Sequence, residues 1–575
     1  MARPNEEVAA HLQEYADLIS ITGDEQFKAR VYEKAARSVA GYPEDISKAD
    51  VKTLRGIPNV GASIADKIVE YFHDGGTFAA LEELRAKIPA GVRRMIEIPT
   101  LGPKRAMTLY EQLHVSSVEE LSAAIDEGRL QGLKGFGART EDNLRHGIEL
   151  LHHAGDRLLV NAAMEVAENV VDALSTVDGC VRCTYAGSLR RMRETIGDVD
   201  VLAAAERSDA LMAAFVGLPL VAEVIAHGAA KTSIRTATGL QVDLRVVPPS
   251  AWGAALQYFT GAKAHNIRTR EIAVRHKLKL SEYGLFDAPT NTLIVSETEE
   301  EVYERLGLPW IPPPLREDRG EIEAALSGEL PDLIQTKDLR GDLHTHTNLT
   351  DGVASLAEMV GAAARLGYAY LAITDHAPNL FMQRMSDEKM LAQREELRAL
   401  AAEHPKLQLL HGTELNIDPD GEVDWPAGFL AGFDLCVASV HSHFNQSRKE
   451  MTRRFVRACE NPHVNIIGHP TGRLIGRRQP YDVDLEVVYE AAARTGTALE
   501  LNASPERLDL SAEHLIQARR HGVRFAINSD AHATTHLPNL RYGVGTAQRG
   551  WLTADEVINT WPLRKLRTFL NKSAS

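Results

Sequence analysis

Histidines and carboxylates recur in the last third of the sequence, each within a few residues of a short apolar run. In DLHTH, His344 and His346 stand one residue apart, so an extended chain points both the same way. Seven more such side chains accompany later runs: Asp351, His376, Glu414, His441, His469, Asp530 and His532. Histidine and carboxylate ligands without cysteine favour Zn²⁺, Mn²⁺ or Fe²⁺, and nine ligands suit two or three ions. Because such clusters activate water and clamp a phosphoryl group, the pattern predicts phosphoester hydrolysis.

Three more polar residues lie close to this set in the sequence: Asp375, His443 and Arg473. We interpret Asp375 and His443 as neighbours of the ligands or as surface residues. Arg473, in GHPTGRLIGRR, would contact a substrate phosphate or stand on a solvated face.

A second acidic group lies in the middle of the chain. Asp198 and Asp200 are two residues apart in GDVDVL, so a strand presents both carboxylates on one side. Asp243, in GLQVDLRVV, would join them from a neighbouring strand. Three converging carboxylates suit Mg²⁺ ions that activate a hydroxyl and stabilise a leaving pyrophosphate. Gly187 and Ser188 precede the pair on a turn that could cradle phosphates.

Three short stretches of the first third resemble one another: residues 56–68, 97–109 and 132–144. Each combines an apolar residue, a tight turn, a glycine and a helix-like run, as helix-hairpin-helix motifs do. The paired turn positions are Asn59 and Gly61, Thr100 and Gly102, and Gly135 and Gly137. Exposed amides at a helix N-terminus hold a phosphate without net positive charge, so the repeats predict sequence-independent DNA binding. Helical hairpins that only pack on one another are the alternative.

The elements that must hold these residues are predicted from periodicity and from glycine and proline. Residues 1–155 are predicted to be helical almost throughout, and from about 156 short β-rich runs alternate with helices. A proline-rich stretch at 308–318 ends that part, and an acidic helical linker follows to about 338. Beyond it, apolar strand-like runs alternate with helices, which predicts a parallel sheet or barrel. Catalytic groups of barrels come from the carboxyl ends of several strands, which is where the histidines are expected here.

Composition limits the class of protein. With 575 residues, of which 44% are hydrophobic, the chain is long enough for several cores. A net charge of −15 excludes a uniformly basic nucleic-acid coat, so DNA contacts must come from local patches and backbone amides. Four cysteines are too few to stabilise so long a chain through disulfide bonds, and no apolar run is as long as a membrane-spanning helix. We therefore expect a cytoplasmic, nucleoid-associated protein without membrane contact.

The middle of the chain resembles the family X DNA polymerases, the DNA polymerase beta kind. Gly-Ser, Arg-Arg, Gly-Asp-Val-Asp and a distant Asp stand in that family's order, and LQYFTGAKAHNIRTR at 256–270 resembles its nucleotide pocket. The resemblance implies that Asp198, Asp200 and Asp243 bind catalytic Mg²⁺ or Mn²⁺. It also implies nucleotide contacts: the triphosphate at Gly187, Ser188, Arg191 and Gly197, the sugar at Tyr258 and Phe259, and the minor-groove edge at Asn266.

The first helices resemble that family's lyase-type domain, which grips the 5′-phosphate of a gap. FKARVYEKAA at 27–36 and GASIADKIVEYF at 61–72 carry the likeness. It implies phosphate contacts at Lys28 and Tyr32, and a Schiff base between Lys67 and a 5′-deoxyribose phosphate. A surface lysine on a helix is the alternative for Lys67. Through the hairpins, DNA would be contacted at Asn59, Gly61, Gly102, Gly135 and Gly137.

The last third resembles a PHP (polymerase and histidinol phosphatase) domain, a distorted seven-stranded barrel that binds three metal ions. The nine ligands of that family all have a counterpart here, namely the nine residues named first. The resemblance implies two to three Mn²⁺, Zn²⁺ or Fe²⁺ ions and a Mn²⁺-favoured 3′–5′ exonuclease. Cleavage at abasic sites and cleaning of blocked 3′ ends are further expected activities.

The resemblance covers essentially the whole chain and predicts a multidomain fold. It comprises helical N-terminal domains with helix-hairpin-helix motifs, an α+β nucleotidyltransferase palm with a thumb-like subdomain, and a distorted (β/α)7 PHP barrel. The expected domains are a lyase-type domain at 1–80, a helix-hairpin-helix domain at 81–155, a palm at 156–250, a nucleotide-pocket subdomain at 251–318, a linker at 319–338 and the barrel at 339–575.

The function that we predict from the sequence is that of a monomeric DNA repair polymerase of the base excision repair type. It would fill short gaps in gapped or primed DNA from deoxynucleoside triphosphates. A linked 3′–5′ exonuclease would clean or proofread the primer end that the polymerase extends. One alternative is a DNA-end-processing nuclease whose polymerase-like core only binds DNA. Another is a small-molecule phosphatase, for which the N-terminal hairpins would have no use.

Overall fold

The computed structural model describes residues 4–572, apart from positions 23–25, 43, 74, 97, 99–100, 134, 138–139, 142–143, 146, 149–156 and 381–384. Thr100, one of the predicted turn positions, and the predicted boundary at 155 lie outside the described residues. None of the helices in the described part is long and apolar enough to cross a membrane. A helical region, a five-stranded palm, a small thumb and a seven-stranded barrel follow one another along the chain.

Helices form the N-terminal region. α1 to α8 span Pro4–Thr22, Gln26–Ala40, Val51–Leu54, Ala62–His73, Ala79–Lys87, Ala90–Ile96, Pro103–Leu113 and Val118–Asp126. Apolar residues recur at helical spacing, as Ile64 and Ile68 do on α4, and are buried in one core. Phe78 and Leu81 both belong to that core, so it continues across the predicted boundary at 80.

The palm is built on a mixed sheet ordered β2-β4-β7-β6-β5. β1 to β7 span Leu158–Leu159, Arg182–Tyr185, Thr195–Ile196, Asp198–Ala204, Val221–His227, Lys231–Thr236 and Gln241–Val247, and α9 to α11 span Val160–Ser175, Gly187–Arg190 and Asp209–Val216. Both faces of β4 are covered, since Val201 packs into one core and Leu202 into another that contains Trp252. Strand alternation therefore turns Asp198 and Asp200 to the same side as Leu202.

The thumb combines helices with a small antiparallel sheet. α12 to α15 span Trp252–Thr260, Lys263–Arg275, Glu299–Arg305 and Glu321–Ser327, and β8 to β10 span Leu278–Ser281, Gly284–Asp287 and Leu293–Val295. α15 lies within the predicted linker 319–338, yet Ile322 and Ala325 are buried in the core of the thumb. The carboxylate of Glu321 is also buried, 2.6 Å from His265 Nδ1. The first half of that segment therefore packs as part of the thumb.

The C-terminal domain is a nearly closed barrel of seven parallel strands in sequence order, β11 to β17. They span Gly341–Asp342, Tyr370–Ile373, Gln408–Asn416, Leu435–Ser439, Ile466–Ile467, Ala498–Asn502 and Phe525–Asn528. α16 to α23 span Leu356–Arg365, Asp387–Glu403, Ala427–Leu430, Arg448–Glu460, Leu485–Thr495, Ala512–Arg520, Leu540–Arg549 and Leu563–Leu570. The ends of the sheet meet where the Leu343 N–H donates to Asn528 Oδ1 at 3.2 Å and Thr345 bridges to Ala531. The predicted (β/α)7 barrel is confirmed.

Candidate metal centres and DNA-binding surface

The ligand-type residues of the barrel lie at, or shortly after, the ends of parallel strands. His344 and His346 follow β11, with Asp351 in the same loop, and His376 follows β12. The remaining ligands continue around the rim: Glu414 near the end of β13, His441 after β14, His469 after β15, and Asp530 and His532 after β17. Because parallel strands bring their carboxyl ends to one rim, the fold gathers all of these side chains there.

Glu414 lies at the centre of this cluster. Its carboxylate is 3.0 Å from His376 Nδ1 and 3.2 Å from both His441 Nε2 and His469 Nε2. His344 Nε2 lies 3.5 Å from Glu414 Oε2, and the glutamate side chain is only 1% exposed. A buried carboxylate that faces several imidazoles is suited to be a ligand shared between metal ions.

Two further carboxylates complete the cluster. Asp351 lies 3.3 Å from His376 Nε2 and 3.4 Å from His532 Nε2, and Asp530 lies 3.2 Å from His346 Nε2. Within the described residues, three groups have ligand atoms within 4.8 Å of one another: His346 with Asp351, His376 and His532; His344 with His346 and Asp530; and His376 with Glu414 and His441. His346 and His376 each belong to two groups, so the three groups form one centre.

Several imidazole nitrogens of the centre have no hydrogen-bond partner in the described part of the chain. His344 Nε2 and His346 Nδ1 are buried, and neither has a hydrogen-bond partner among the described residues. Buried ring nitrogens are normally satisfied by hydrogen bonds or by a metal ion. Histidine and carboxylate donors without cysteine fit Zn²⁺, Mn²⁺ or Fe²⁺. The donor set therefore fits a metal centre, and the identity of its ions stays a prediction.

Residues behind the ligands hold the imidazoles in place. Glu500, on β16, lies 2.7 Å from His344 Nδ1 and accepts the His469 N–H at 2.7 Å. Asn416 Oδ1 lies 2.7 Å from His441 Nδ1. A partner on one ring nitrogen fixes the direction of the other. The sequence pattern did not single out Glu500, although a glutamate inside the apolar run ALELN is a signal, since a buried charge needs a partner.

Asp375 and His443 occupy different surroundings. Asp375 is buried and accepts hydrogen bonds from Thr347 Oγ1 at 2.6 Å and Thr350 Oγ1 at 2.5 Å, so it braces the loop that carries Asp351. His443 is exposed and lies four residues before Ser447, the N-cap of α19. Asp375 therefore supports the centre, and His443 is a surface residue.

Mutual contacts set the charges within the centre. Burial alone would raise the pKa of Glu414, but the histidines around it, His441 first, lower it well below its ordinary value. For His532, burial would lower the pKa, but Asp351 raises it to about 9. Burial lowers the pKa of His469 to about 4. Glu414 is therefore anionic and His469 neutral near pH 7, which are the forms in which these groups bind metal ions.

The palm brings its three carboxylates onto neighbouring strands. In the parallel pairing of β4 and β7, Asp200 stands opposite Asp243, and Asp198 is two residues earlier on the same face. Lys231 Nζ, on β6, lies 2.6 Å from Asp243 Oδ2, a partner that the sequence pattern did not indicate. Burial, and then the charges of Asp198 and Asp243, raise the pKa of Asp200 to about 6. Carboxylates crowded in this way fit Mg²⁺ or Mn²⁺, which take oxygen ligands.

The turn after β2 is built closely against Asp200. Gly187 has a φ of +58°, and a Cβ there would lie 2.2 Å from Asp200 Oδ2, so this position requires glycine. Ser188 follows on α10, Arg191 is its C-terminal cap, and Gly197 immediately precedes β4. A cavity of about 30 Å³ adjoins the carboxylates. The structure thus gathers the predicted phosphate-binding residues beside the acidic group.

The predicted sugar and base contacts lie on the thumb. Tyr258 and Phe259, near the end of α12, have their rings edge to face with centres 5.1 Å apart. Asn266, on α13, is 9% exposed, and its Nδ2 donates to the carbonyls of Tyr258 at 2.7 Å and Gly261 at 3.1 Å. The amide of Asn266 therefore braces the turn between α12 and α13. Its contact with a nucleotide edge stays a prediction and requires these bonds to open.

The predicted hairpins share backbone features at the turn positions that the structure describes. Asn59 and Gly135 have φ values of +63° and +93°, in the left-handed region that asparagine and glycine tolerate. Gly61 precedes α4, Gly102 is the N-cap of α7, and the Gly137 carbonyl accepts the N–H groups of residues 140 and 141. No described atom lies within 4 Å of a Cβ built on any of these last three glycines. A phosphate can therefore reach the helix N-termini.

Models of four protein families match the chain. They are a helix-hairpin-helix domain at 3–76, a SAM-like helix-hairpin-helix tandem at 92–149, the DNA polymerase beta thumb at 255–317 and the PHP domain at 342–504. The chain is also 36% identical over 565 residues to the DNA polymerase/3′-5′ exonuclease PolX of Bacillus subtilis (strain 168), a match that covers 98% of both chains. The chain belongs to the family X DNA polymerases.

Membership of family X confirms the resemblance that the sequence motifs carried. Two probable phosphatases, from Thermoanaerobacter sp. (strain X514) and Syntrophotalea carbinolica, are 29% and 30% identical over 246 and 256 residues. Each match covers 40% of this chain and 94% of the phosphatase. Such phosphatases thus match only a part of this family X polymerase.

In this family X polymerase, Arg473 joins the palm to the barrel. Its Nη2 lies 2.7 Å from Glu194 Oε2 of the palm and donates to the Leu508 carbonyl at 2.5 Å. The structure thus gives it a place that the sequence did not predict, an interdomain contact. Arg507 instead faces the metal centre, with Nε 3.8 Å from Asp530 Oδ2 and a buried Nη1 that has no hydrogen-bond partner among the described residues.

The lyase-type residues expected of a family X polymerase lie on α2 and α4. Lys67 Nζ donates to Ser63 Oγ at 3.1 Å and lies 5.9 Å from the centre of the Tyr32 ring. Tyr32 is 3% exposed and packs edge to face on Tyr15, so its ring is part of the hydrophobic core. Lys28 lies one turn earlier on α2 and is partly exposed. A Schiff-base role for Lys67 stays a prediction.

Proposed function

We propose that this chain is a DNA-directed DNA polymerase that fills short gaps and removes nucleotides from 3′ ends with its PHP barrel. One observation carries the proposal: the chain holds two separate clusters of ligand-type side chains, an acidic one on the palm and a histidine–carboxylate one on the barrel. Similarity over the whole length to a DNA polymerase/3′-5′ exonuclease supports the same pair of activities. The substrates would be gapped or primed DNA and deoxynucleoside triphosphates.

In DNA synthesis, Asp198, Asp200 and Asp243 would hold Mg²⁺ or Mn²⁺. When bound, such ions promote ionisation of the primer 3′-hydroxyl and stabilise the leaving pyrophosphate. Arg191 and the turn at Gly187 would hold the triphosphate in line with that hydroxyl. Since phosphoryl transfer depends mainly on positioning and electrostatics, the fixed pairing of β4 and β7 is the main contribution of the palm.

In hydrolysis, the eight residues of the three groups, together with His469 beside Glu414, would hold two or three ions. When bound, such ions lower the pKa of water and offset the charge of the phosphate. Glu500 and Asn416 orient the imidazoles of His344 and His441, so the donor atoms are fixed before substrate arrives. Arg507 would draw the scissile phosphate to the rim, because its guanidinium lies beside Asp530 and its buried Nη1 has no hydrogen-bond partner among the described residues.

The Arg507→Met variant should lose exonuclease activity by about 10²-fold in kcat/KM, the cost of removing a charged phosphate contact. Primer extension should stay within about twofold, since Arg507 belongs to the barrel. The matched control is Arg477→Met, because Arg477 is 70% exposed and pairs with Glu506 at the surface. An Arg507→Met enzyme with full exonuclease activity on single-stranded DNA would remove this residue from substrate binding.

The Gly61→Val and Gly102→Val variants should each weaken binding to gapped DNA by about tenfold, because a side chain would block the phosphate at a helix N-terminus. The fold should tolerate both, since the space beyond each glycine is open and neither backbone is left-handed. Filter binding or fluorescence anisotropy at fixed salt measures the affinity. Gly428→Val is the control, because it also enters open space but lies on the barrel. Unchanged affinity in both hairpin variants would contradict amide-mediated binding.

Two assays on one preparation test the proposed function. The full chain should extend a primer across a gap with deoxynucleoside triphosphates, and should shorten a 5′-labelled single strand without them. Exonuclease without any extension would favour the end-processing nuclease. Hydrolysis of small phosphomonoesters but not of DNA would favour the small-molecule phosphatase.

Five expectations from the sequence stay predictions: the lyase activity, cleavage at abasic sites, the monomeric state, the cellular location and the domain boundaries.

A further inference from the structure

The carboxylate of Glu317, at the end of the thumb, binds arginines of two other domains. Its Oε1 lies 2.9 Å from Arg191 Nε of the palm and 2.8 Å from Arg549 Nη1 of the barrel. Arg193 of the palm is 3.5 Å from Oε2. Burial alone would raise the pKa of Glu317, but Arg549 and then Arg191 hold it at about 2. Palm, thumb and barrel therefore meet at one charged carboxylate.

Arg549 binds Arg191 in two ways. It is the last residue of α22, it is 7% exposed, and its Nη1 also donates to the Arg191 carbonyl oxygen at 3.0 Å. A single nitrogen of the barrel therefore holds the backbone of Arg191 directly and its guanidinium through Glu317. Buried charge-assisted contacts of this kind are strong and directional, so they restrict the orientation of the side chain that they hold.

The remaining contacts of Arg191 leave one nitrogen for a ligand. Its Nε binds Glu317 and its Nη1 donates to the Thr260 carbonyl at 2.8 Å, whereas Nη2 has no hydrogen-bond partner among the described residues. The residue follows the turn at Gly187, and its charge acts on Asp200. Because the protein binds Nε and Nη1, these contacts set the direction of Nη2, and rotation of the flexible side chain does not.

We propose that Arg549 of the barrel is a positioning residue for DNA synthesis, which holds Arg191 in the orientation that binds the triphosphate of the incoming nucleotide. The inference rests on the proposed function, in which Arg191 contacts that triphosphate. The inference adds that the barrel raises the affinity for the nucleotide through its contact with the palm, independently of the chemistry at its own metal centre. Losing Arg549 would leave the carbonyl of Arg191 without its donor and Glu317 with weaker support, so Arg191 would adopt more orientations.

The test is steady-state primer extension by the full chain on gapped DNA. In Arg549→Met, the KM for the nucleotide should rise by about tenfold while kcat stays within about threefold, because binding geometry and not chemistry is disturbed. Arg549→Lys should restore most of the affinity, since one ammonium can bind both oxygens that Nη1 binds now. Exonuclease activity on a single strand should be unchanged in both variants, which also shows that the chain is folded. Glu317→Gln, which keeps the shape, should raise the KM as well and tests the same contact if Arg549→Met fails to fold.

Arg541→Met is the matched control. Arg541 lies on the same helix, α22, and joins it to the palm through Glu168 at 3.0 Å, but it has no contact with Arg191. Its loss should leave the KM for the nucleotide unchanged. An equal rise in KM in Arg541→Met and Arg549→Met would assign the effect to domain docking in general and overturn the proposal. An unchanged KM in both Arg549→Met and Glu317→Gln would overturn it as well.

Arg191→Met separates this inference from the assignment on which it rests. That variant should raise the KM for the nucleotide by about 10²-fold, since it removes the phosphate contact itself. A raised KM in Arg191→Met with a normal KM in Arg549→Met overturns the role of Arg549 alone. A normal KM in Arg191→Met overturns both the triphosphate contact and the inference built on it.

Discussion

The Glu414→Gln variant should lose 3′–5′ exonuclease activity by about 10³-fold or more, while it extends primers at close to the wild-type rate. Glu414 lies within 3.2 Å of three imidazoles and is buried, so no other carboxylate can take its place between them. Glutamine keeps the shape but removes the charge that makes the side chain a shared ligand. Degradation of a 5′-labelled single strand with Mn²⁺ measures the activity, and elemental analysis of the purified variant should show at least one ion fewer per chain.

Glu395→Gln is the matched control, because it makes the same chemical change at an exposed position away from the metal centre. Glu395 is 70% exposed on α17 and pairs with Arg398, so both activities should stay at the wild-type level. Full exonuclease activity and metal content in Glu414→Gln would exclude Glu414 from the centre. Loss of primer extension together with the exonuclease, in a variant that melts normally, would contradict two separately working sites.

The gathering of the ligand-type residues at one rim of the barrel could be predicted because its signal is local. Each stands at or near the end of an apolar run, as His344 and His346 do after β11, and parallel strands bring such ends to one rim. The same holds for Asp198 and Asp200, whose spacing alone puts both on one face of β4. The repeated alternation of strands and helices predicted a parallel sheet or barrel, and the number of seven strands came from the resemblance to the PHP domain.

The supporting residues of both sites depend on contacts between distant segments. Glu500 meets His344 across 156 positions of sequence, and Lys231 meets Asp243 from a strand whose pairing no local pattern indicates. Arg473 was expected to meet a phosphate or solvent, yet it contacts Glu194, 279 residues away. Such pairs are fixed by the packing of whole domains, so sequence periodicity contains no information on them.

The segment 319–338 shows how composition alone can mislead. Its acidic, helical pattern predicts a linker, but Glu321 is buried against His265 and its helix α15 packs into the thumb. Burial of a carboxylate is tolerated only with a partner, and that partner comes from 56 residues earlier in the chain. Composition indicates where a type of residue lies on average, whereas one specific contact can bury an individual carboxylate.

The Asp200→Asn variant should reduce primer extension by about 10³-fold or more and leave the exonuclease within about twofold. Asp200 is crowded by Asp198 and by Asp243, which stands opposite it in the parallel pair, and burial, followed by these two charges, raises its pKa to about 6. Asparagine removes one anionic oxygen from the three carboxylates that would hold Mg²⁺ or Mn²⁺, and it should also relieve that crowding, so the fold should be at least as stable. Single-nucleotide insertion into gapped DNA measures the loss, and thermal melting checks the fold.

Asp209→Asn is the control for this change, because Asp209 is 76% exposed at the start of α11 and pairs with Arg207. Together with Glu414→Gln, the variant separates the two proposed activities: each should abolish one and spare the other. If Asp200→Asn still extends primers at the wild-type rate, the acidic group of the palm is not the site of synthesis. If instead the wild-type chain extends nothing, the palm serves only to place DNA ends before the barrel, and the end-processing nuclease becomes the better description.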